Sequence, residues 1–408
     1  MKINLEKLFP ILMPLLFMFP LMKENILTFI IILLSLLVII YTIISKKFVI
    51  NKEVLLYTIP FWLILIVSII NLKDLSGLKP IQNSILFLIL PIIFYNIPKE
   101  NFSAQKINFY FEVLKYTLVL IAVSYFLSFF YFYNYKDLFV YEYNIPKFRD
   151  YIYNEVSFFK IHPTYFTSIV IFSITRSMDK LITKKKYSEL LFIGFFTLVV
   201  LTFLAKFNMV FLFILFAYVL FFKTQLSHIK KGILFLTIVS SSLILFFLIP
   251  GIKNRFDEMI DSYNNPPKGM EFDSTNIRVS IVKCSSSIAK ENFWNGVNFN
   301  DLEDKLLDCY EDNYDSDFYK NKKYLTHNYF MYILLGSGIF GLMIYLFYAY
   351  KVFISVKMIN SFMLSVAMIN IFFLNFTEDF FYRQKGLFYF SLLFFTFLMH
   401  KKQINNQE

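Results

Sequence analysis

The sequence LTHNYFMYILLGSGIFGLMIY, residues 325–345, contains the boundary that decides the fold. It joins the longest polar segment of the chain, residues 251–326, directly to a long apolar run. Several other apolar runs reach about 20 residues, which is the length of an α-helix that crosses a bilayer. Apolar residues make up 57% of the chain and charged residues only 17%. This composition predicts a polytopic membrane protein with one large polar loop.

Twelve spans are predicted, and all of them should be α-helices because backbone groups in lipid must be hydrogen-bonded within their own segment. Their approximate bounds are 8–22, 25–45, 54–71, 81–97, 111–133, 163–178, 188–204, 207–222, 232–250, 327–350, 359–376 and 386–400. The first apolar stretch lacks a small-residue cleavage site, so we expect it to be kept as a span. The predicted parts are therefore nine spans at 1–250, a polar cap at 251–326, and three spans with a tail at 327–408.

The basic residues of the short loops predict the orientation, because such residues concentrate on the cytoplasmic side. On one side of the predicted spans lie Lys46, Lys47, Lys99, Lys106, Arg176, Lys180, Lys184, Lys185, Lys186, Lys223, Lys230, Lys231, Lys351, Lys357, Lys401 and Lys402. Both termini are then cytoplasmic and the large polar loop lies outside. The net charge of +11 is an effect of the inner surface beside anionic lipids and does not indicate nucleic-acid binding.

The polar loop is predicted to be a small helical cap. Asp273 or Ser274 can cap a helix with Ile277, Ile281, Cys284 and Ile288 on one face. A second short helix fits Leu302, Leu306, Leu307 and Tyr310. The acidic run over residues 301–317 lacks the alternation and central glycine of a calcium loop, so a solvated acidic face is expected.

The two cysteines, Cys284 and Cys309, both lie in this loop. They can form a disulfide if the loop faces an oxidising compartment, or they can be two small half-buried apolar residues. There is no CxxC motif and no neighbouring histidine cluster, so neither a metal site nor a cofactor is expected.

His327 is the first candidate for chemistry, because it lies where the polar loop meets a span and can act as a general base near neutral pH. The alternative is a helix-start residue solvated at the interface. Arg278 lies on the first loop helix, and its guanidinium can grip a phosphate with two hydrogen bonds. The alternative is a surface arginine paired with a nearby acid. Arg255, just after the ninth span, has the same two interpretations.

Four further charged or ionisable residues lie at the outer ends of spans. Lys206 occupies the short connection between spans seven and eight, where it can extend to the interface or face an anionic headgroup. His162 precedes the proline that begins the sixth span. In the last outer loop, Glu378 and Arg383, near Asp379, can position an acceptor or simply pair with each other.

The segment Gly336-Ser337-Gly338-Ile339-Phe340-Gly341 matches GxGxxG letter for letter. It lies inside an apolar run with no strand before it, so a dinucleotide site is not expected. Close packing of small residues against a neighbouring element is the better interpretation.

Taken together, these motifs resemble the O-antigen ligase and polymerase family of bacterial envelope glycosyltransferases. The resemblance rests on four segments, His162-Pro163-Thr164-Tyr165, Asn276-Ile277-Arg278 with Phe293-Trp294-Asn295-Gly296, His327-Asn328-Tyr329 with Gly338-Ile339-Phe340-Gly341-Leu342, and Thr377-Glu378 through Gln384-Lys385-Gly386. Two positions depart from the family pattern. Ala205-Lys206 stands where the family often has Ser-Arg, and Gly296-Val297-Asn298 lacks the preceding proline.

The resemblance implies a metal-independent, inverting, lipid-dependent glycosyltransferase in the bacterial inner membrane. Its donor would be a glycan on undecaprenyl pyrophosphate in the outer leaflet. Arg278, with Arg255 and Lys206, would bind the pyrophosphate, and His327 would take the proton of the acceptor hydroxyl. The acceptor would be lipid A-core for a ligase or a growing glycan for a polymerase.

A flippase or another transporter is the interpretation from a different functional class. Transporters usually show inverted repeats or charged, broken helices near the membrane midplane. This sequence shows no such repeat, and the middles of its predicted spans carry few charges. The one-sided polar loop therefore favours an enzyme.

Overall fold

The computed structural model describes residues 5–70, 75–142, 145–156, 159, 161–248, 253–254, 257, 260–320 and 323–405. These residues are almost entirely helical. Two short antiparallel strands, Tyr141–Glu142 and Ile145–Pro146, pair with each other. The chain forms two compact units, one made of residues 1–110 and 262–408 and the other of residues 111–261.

The α-helices, in chain order, are α1 (Phe9–Phe17), α2 (Glu24–Ser45), α3 (Lys52–Tyr57), α4 (Ile59–Ile70), α5 (Lys79–Ser84), α6 (Leu86–Asn96), α7 (Ala104–Phe132), α8 (Lys147–Asp150), α9 (Pro163–Lys184), α10 (Glu189–Thr202), α11 (Lys206–Tyr218), α12 (His228–Leu248), α13 (Ser274–Glu291), α14 (Leu302–Asn313), α15 (Tyr329–Ile359), α16 (Phe362–Leu374) and α17 (Gln384–Asn405). Short 3-10 helices cover Leu5–Lys7, Phe19–Leu21, Leu75–Leu78, Lys99–Phe102, Tyr135–Phe139 and Phe380–Tyr382. Single π-helical turns cover Tyr151–Glu155 and Val219–Lys223.

Within the described residues, four helical segments are long and apolar enough to cross a membrane: Glu24–Ser45, Ala104–Phe132, Lys206–Lys223 and Tyr329–Ile359. Shorter apolar helices are α4, α10 and α16. These lengths agree with an all-α membrane protein. Two of the predicted spans are broken in the structure, one into α3 and α4 and the other into α5 and α6. Pro60 at the start of α4 lacks the backbone N–H needed to continue the helix from α3, whereas the break between α5 and α6 falls at Ile85.

Each unit is built around one helix that is buried on all sides. In the first unit this helix is α17, in which every residue from Lys385 to Met399 is buried. In the second unit it is α9, which is buried from Pro163 to Met178. A helix that is buried all round needs neighbours on every side, so these two helices hold the core positions.

The second unit contains a buried ionic network. Arg176 on α9 donates to Glu112 of α7 at 2.9 Å, and Lys180 pairs with the same carboxylate. Lys115 of α7 lies 3.2 Å from Glu189, which begins α10. Arg176 and Lys180 were predicted to lie in a short loop, whereas in the structure both lie on α9. Helix α9 continues to Lys184, because acids on the neighbouring helices neutralise its charged last turns.

The polar cap contains both predicted helices, and a disulfide between Cys284 and Cys309 joins them. Asp273 caps α13 by accepting from the backbone N–H groups of Thr275 and Asn276. The predicted apolar face of α13 is buried, as are Leu302, Leu306 and Tyr310 of α14. Of the two interpretations of the cysteines, the structure therefore shows the disulfide.

Helix α15 bends back on itself at Gly338, whose φ of 67° and ψ of −171° are not helical. The ring centroids of Tyr329 and Tyr345 are 5.5 Å apart, although residues 16 apart in a straight helix are separated by about 24 Å. The structure thus has two arms, residues 329–337 and 339–359, in place of the single straight span predicted at 327–350.

A turn of the cap, residues 293–297, docks on this bend. Val297 N–H donates to Leu335 O at 2.7 Å, and Ile339 N–H donates to Phe293 O at 2.9 Å. A Cβ atom on Gly338 would lie 2.0 Å from Trp294 O. The GxGxxG segment therefore permits close packing, as predicted, and its central glycine also reverses the chain.

Candidate functional site

The site of the first unit forms where the segment before α15 meets the loop after α16. Tyr329 N–H donates to Asn375 O at 2.7 Å, and the Asn375 side chain accepts from Phe381 N–H at 3.3 Å. Asn375 is fully buried. These bonds hold the 326–328 segment beside Glu378 and Asp379, which lie between Asn375 and Phe381 in the chain.

Asp379 fixes the backbone around His327. Its carboxylate accepts from Thr326 Oγ1 at 2.6 Å, from His327 N–H at 3.0 Å and from Asn328 N–H at 3.1 Å. Burial raises the pKa of Asp379, and the nearby His327 opposes that shift. His327 has a φ of 45°, a left-handed conformation that is uncommon for a residue other than glycine. The Asp379 bonds stabilise this conformation and thereby direct the imidazole.

Glu378 connects the two predicted catalytic residues. Its Oε2 lies 3.1 Å from His327 Nδ1, and its Oε1 forms a close ion pair with Arg278 Nη2. The Glu378 side chain is 7% exposed, whereas those of His327 and Arg278 are 27% and 38% exposed. The carboxylate is thus enclosed, while the imidazole and the guanidinium are both accessible from outside.

This arrangement leaves defined groups for chemistry. An ionised carboxylate only accepts hydrogen bonds, so the contact with Glu378 places a hydrogen on His327 Nδ1, and in a neutral imidazole Nε2 then carries the lone pair. Arg278 has five N–H donors in a planar fork, and the observed pair with Glu378 uses its Nη2 end. The site therefore holds an imidazole and a guanidinium on one shared carboxylate.

The second unit brings together two other predicted residues. His162 caps α9 and lies among aromatic rings, with its centroid 5.2 Å from that of Tyr165. Lys206 is the first residue of α11. The starts of α9 and α11 are adjacent, because Asn208 donates to Thr164 O at 2.9 Å and to Thr167 Oγ1 at 2.6 Å.

Two remaining predictions have different outcomes. Arg255 lies outside the described residues. The suggestion that Glu378 and Arg383 pair with each other was wrong. Glu378 is held by Arg278 and His327, while Arg383 is exposed at the end of the 3-10 helix before α17. The 3-10 helix Phe380–Tyr382 lies between the two residues in the chain.

Sequence reasoning missed what Asp379 does and which partners Glu378 has. Two adjacent acids between apolar spans were the available signal, because buried charges in such a place need partners. Among the residues that the structure describes, no group of three or more His, Cys, Asp or Glu side chains has a metal-binding arrangement.

The fold and the site indicate a helical multi-pass membrane protein with a polar site built on loop segments between its helices. Residues 190–346 match the family described as O-antigen ligase, and this match supports the O-antigen ligase and polymerase family that the motifs resemble. No match was found among curated proteins. The matched range includes Lys206, Arg278 and His327, whereas Glu378 and Asp379 follow it in the chain.

Proposed function

We propose that the protein is an O-antigen ligase, which transfers a finished glycan from undecaprenyl pyrophosphate to lipid A-core. The observation that carries this proposal is the shared contact of His327 and Arg278 with Glu378. A transfer of this kind needs a base for the acceptor and a cation for the leaving group within one site. The family match supports the general class of lipid-linked glycan transfer.

Arg278 binds the pyrophosphate in this proposal. Negative charge grows on the leaving group as the bond from the sugar to the phosphate breaks, and a cation already in place stabilises that charge. Arg278 is anchored on Glu378 and remains 38% exposed, so its fork can face an incoming anion. Lys206 and Arg255 are proposed as further pyrophosphate ligands. Positive charge from these side chains takes the place of the metal ion used by many other transferases.

His327 acts as the general base. Its Nε2 takes the proton of the acceptor hydroxyl as the acceptor oxygen bonds to the anomeric carbon of the donor sugar. The bond from that carbon to the pyrophosphate oxygen breaks, and undecaprenyl pyrophosphate leaves with the electron pair. Attack opposite the leaving group inverts the anomeric configuration.

Glu378 is a positioning residue for both steps. It fixes the His327 tautomer that presents Nε2, and it stabilises the imidazolium that forms when the proton arrives. The same carboxylate orients Arg278. Glu378 is nearly enclosed, so water competes weakly for these bonds.

The proposed setting is the bacterial inner membrane, with twelve spans, both termini in the cytoplasm and the cap outside. The Cys284–Cys309 disulfide supports this orientation, since disulfides persist in oxidising compartments such as the periplasm. The partners are membrane lipids, the undecaprenyl-linked donor and the lipid A-core acceptor.

The test compares lipid-linked glycans and lipopolysaccharide in a deletion strain rescued by wild type, His327→Ala or His228→Ala. His228 is exposed at the start of α12 and serves as the matched control. For a ligase, polymer accumulates on undecaprenyl pyrophosphate and lipid A-core stays bare unless wild type or His228→Ala is supplied. Lipid A-core with a single repeat unit would identify a polymerase instead. An unchanged glycan profile in the deletion strain would contradict both.

A further inference from the structure

The bend of α15 carries a group of exposed aromatic side chains from two parts of the chain. Phe293 and Trp294 of the cap are 41% and 64% exposed, and Phe340 of α15 is 55% exposed. The ring centroids of Trp294 and Phe340 are 6.0 Å apart. We call these three residues the aromatic patch.

The backbone under the patch is fixed. Ile339 N–H bonds to Phe293 O on one side of Trp294, and Val297 N–H bonds to Leu335 O on the other. Asn298 and Asn300 continue the docking by donating to Val67 O and Ser68 O, at 2.8 Å and 2.9 Å, near the outer end of α4. The large exposed rings are therefore held at this position by the fold.

The length of α15 places the patch at the membrane boundary. The second arm, from Ile339 to Ile359, has 21 residues. At 1.5 Å per residue it is about 31 Å long, which equals the thickness of the hydrocarbon core. Phe340 lies at the outer end of this arm, and Met343, Ile344 and Phe347 along the same arm are also exposed. Trp294 thus extends a lipid-facing helix surface at its outer edge.

We propose that Phe293, Trp294 and Phe340 form an interfacial anchor that inserts into the outer boundary between lipid headgroups and acyl chains. Tryptophan favours this boundary because its ring is apolar and its N–H is polar. The partner is the lipid bilayer itself, since the patch continues the lipid-facing surface of a spanning helix. The polar cap is then bound to the membrane through its own side chains as well as through the helices on either side of it.

The anchor also bears on the site. Helix α13 carries Arg278 near its start and ends at Glu291, only two residues before Phe293. Glu378 holds the Arg278 end through the ion pair, and the bilayer holds the other end through the patch. Insertion of the patch therefore limits how far α13 can tilt relative to the membrane.

Trp294 can be observed directly, because the chain has only two tryptophans. Trp62→Phe leaves Trp294 as the single tryptophan, and Trp294→Phe leaves Trp62, which is 43% exposed within α4. Each full-length variant is reconstituted into phosphatidylcholine vesicles with bromine either near the headgroup or near the end of the acyl chain. Quenching by each lipid is compared with quenching by aqueous acrylamide.

The anchor predicts that Trp294 emission is quenched more strongly by the shallow bromolipid than by the deep one, with at least about threefold protection from acrylamide relative to free tryptophan. Trp62 should show stronger quenching by the deep lipid. Strong acrylamide quenching of Trp294 without bromolipid quenching would overturn the proposal. Loss of bromolipid quenching on adding undecaprenyl phosphate would also overturn it, because the patch would then bind this lipid carrier and not the bilayer. If Trp62→Phe lowers the yield, the difference between wild type and Trp294→Phe reports the same residue.

Discussion

Glu378 Oε2 lies 3.1 Å from Nδ1 of His327, although 51 residues separate them in the chain. The other oxygen of the same carboxylate pairs with Arg278, 100 residues away. One enclosed acid thus links a helix of the cap to the segment before α15. Because it contacts both, any change at Glu378 affects the base and the cation together.

Glu378→Gln should lower the rate of glycan transfer by about 10² to 10³-fold, because an amide cannot stabilise the imidazolium as a carboxylate does. The Michaelis constant for the lipid-linked donor should change less than the rate. Steady-state kinetics of the reconstituted enzyme would measure both. Glu291→Gln, on the exposed end of α13, is the control. Equal activity of the two variants would rule out the positioning role.

Arg278→Lys should retain part of the activity and Arg278→Ala should lose nearly all of it, because lysine keeps the charge but not the planar fork. The loss in the alanine variant should be about 10²-fold or more, since removing one charged transition-state contact commonly costs about 3 to 4 kcal/mol. Lys283→Ala, which removes an exposed cation from the same helix, is the control. An Arg278→Ala/Glu378→Gln double variant should be less impaired than the two separate losses combined, because the side chains interact directly.

Gly338→Ala should destabilise the protein by at least about 2 kcal/mol, since its backbone conformation is nearly exclusive to glycine and the added methyl overlaps Trp294 O. Gly194→Ala, on α10, is a matched control because nothing lies within 4 Å of its added Cβ. Thermal unfolding in detergent should show a lower midpoint for the first variant and an unchanged or slightly higher one for the second. Similar midpoints would contradict the bend at Gly338.

Replacing both cysteines, as Cys284→Ala/Cys309→Ala, should lower the free energy of unfolding of the cap by about 3 kcal/mol. The disulfide closes a loop with a sequence separation of 25 residues, and its loss enlarges the unfolded ensemble. Limited proteolysis of the oxidised, reduced and double-alanine proteins would measure this. The reduced wild type should be cut as fast as the variant, and a wild type insensitive to reductant would show that the bond does not stabilise the cap.

Glu189→Gln should destabilise the second unit by about 3 kcal/mol, because Glu112 would then be the one carboxylate left beside the cations Lys115, Arg176 and Lys180 in this network. Lys186 also lies 3.6 Å from Glu189 but is about half exposed, so Lys186→Ala should cost less than about 1 kcal/mol. The thermal midpoints of the two variants in detergent give the comparison. A larger effect at Lys186 would mean that the network is not buried.

The sequence by itself determined the helical membrane class, the cap with its two helices, and the residue types needed for the chemistry. Runs of apolar residues leave helices as the only structures that satisfy the backbone in lipid. Likewise, the apolar face of α13 follows from helical periodicity, which is a local property. His327 was identified because it lies where the polar loop meets a span, and Arg278 because it lies on the first helix of that loop.

Only the tertiary structure decided which side chains meet. The pairing of Glu378 with Arg278 and His327 depends on the turn at Phe380–Tyr382 and on the bonds to Asn375, and both are set by packing between distant segments. The reversal of α15 also could not be predicted from hydrophobic periodicity in the sequence, because both arms are apolar and helical. Its cause is a single glycine whose conformation is stabilised by backbone contacts with the cap. Local sequence patterns specify elements, whereas contacts across 50 to 100 residues emerge only when those elements pack together.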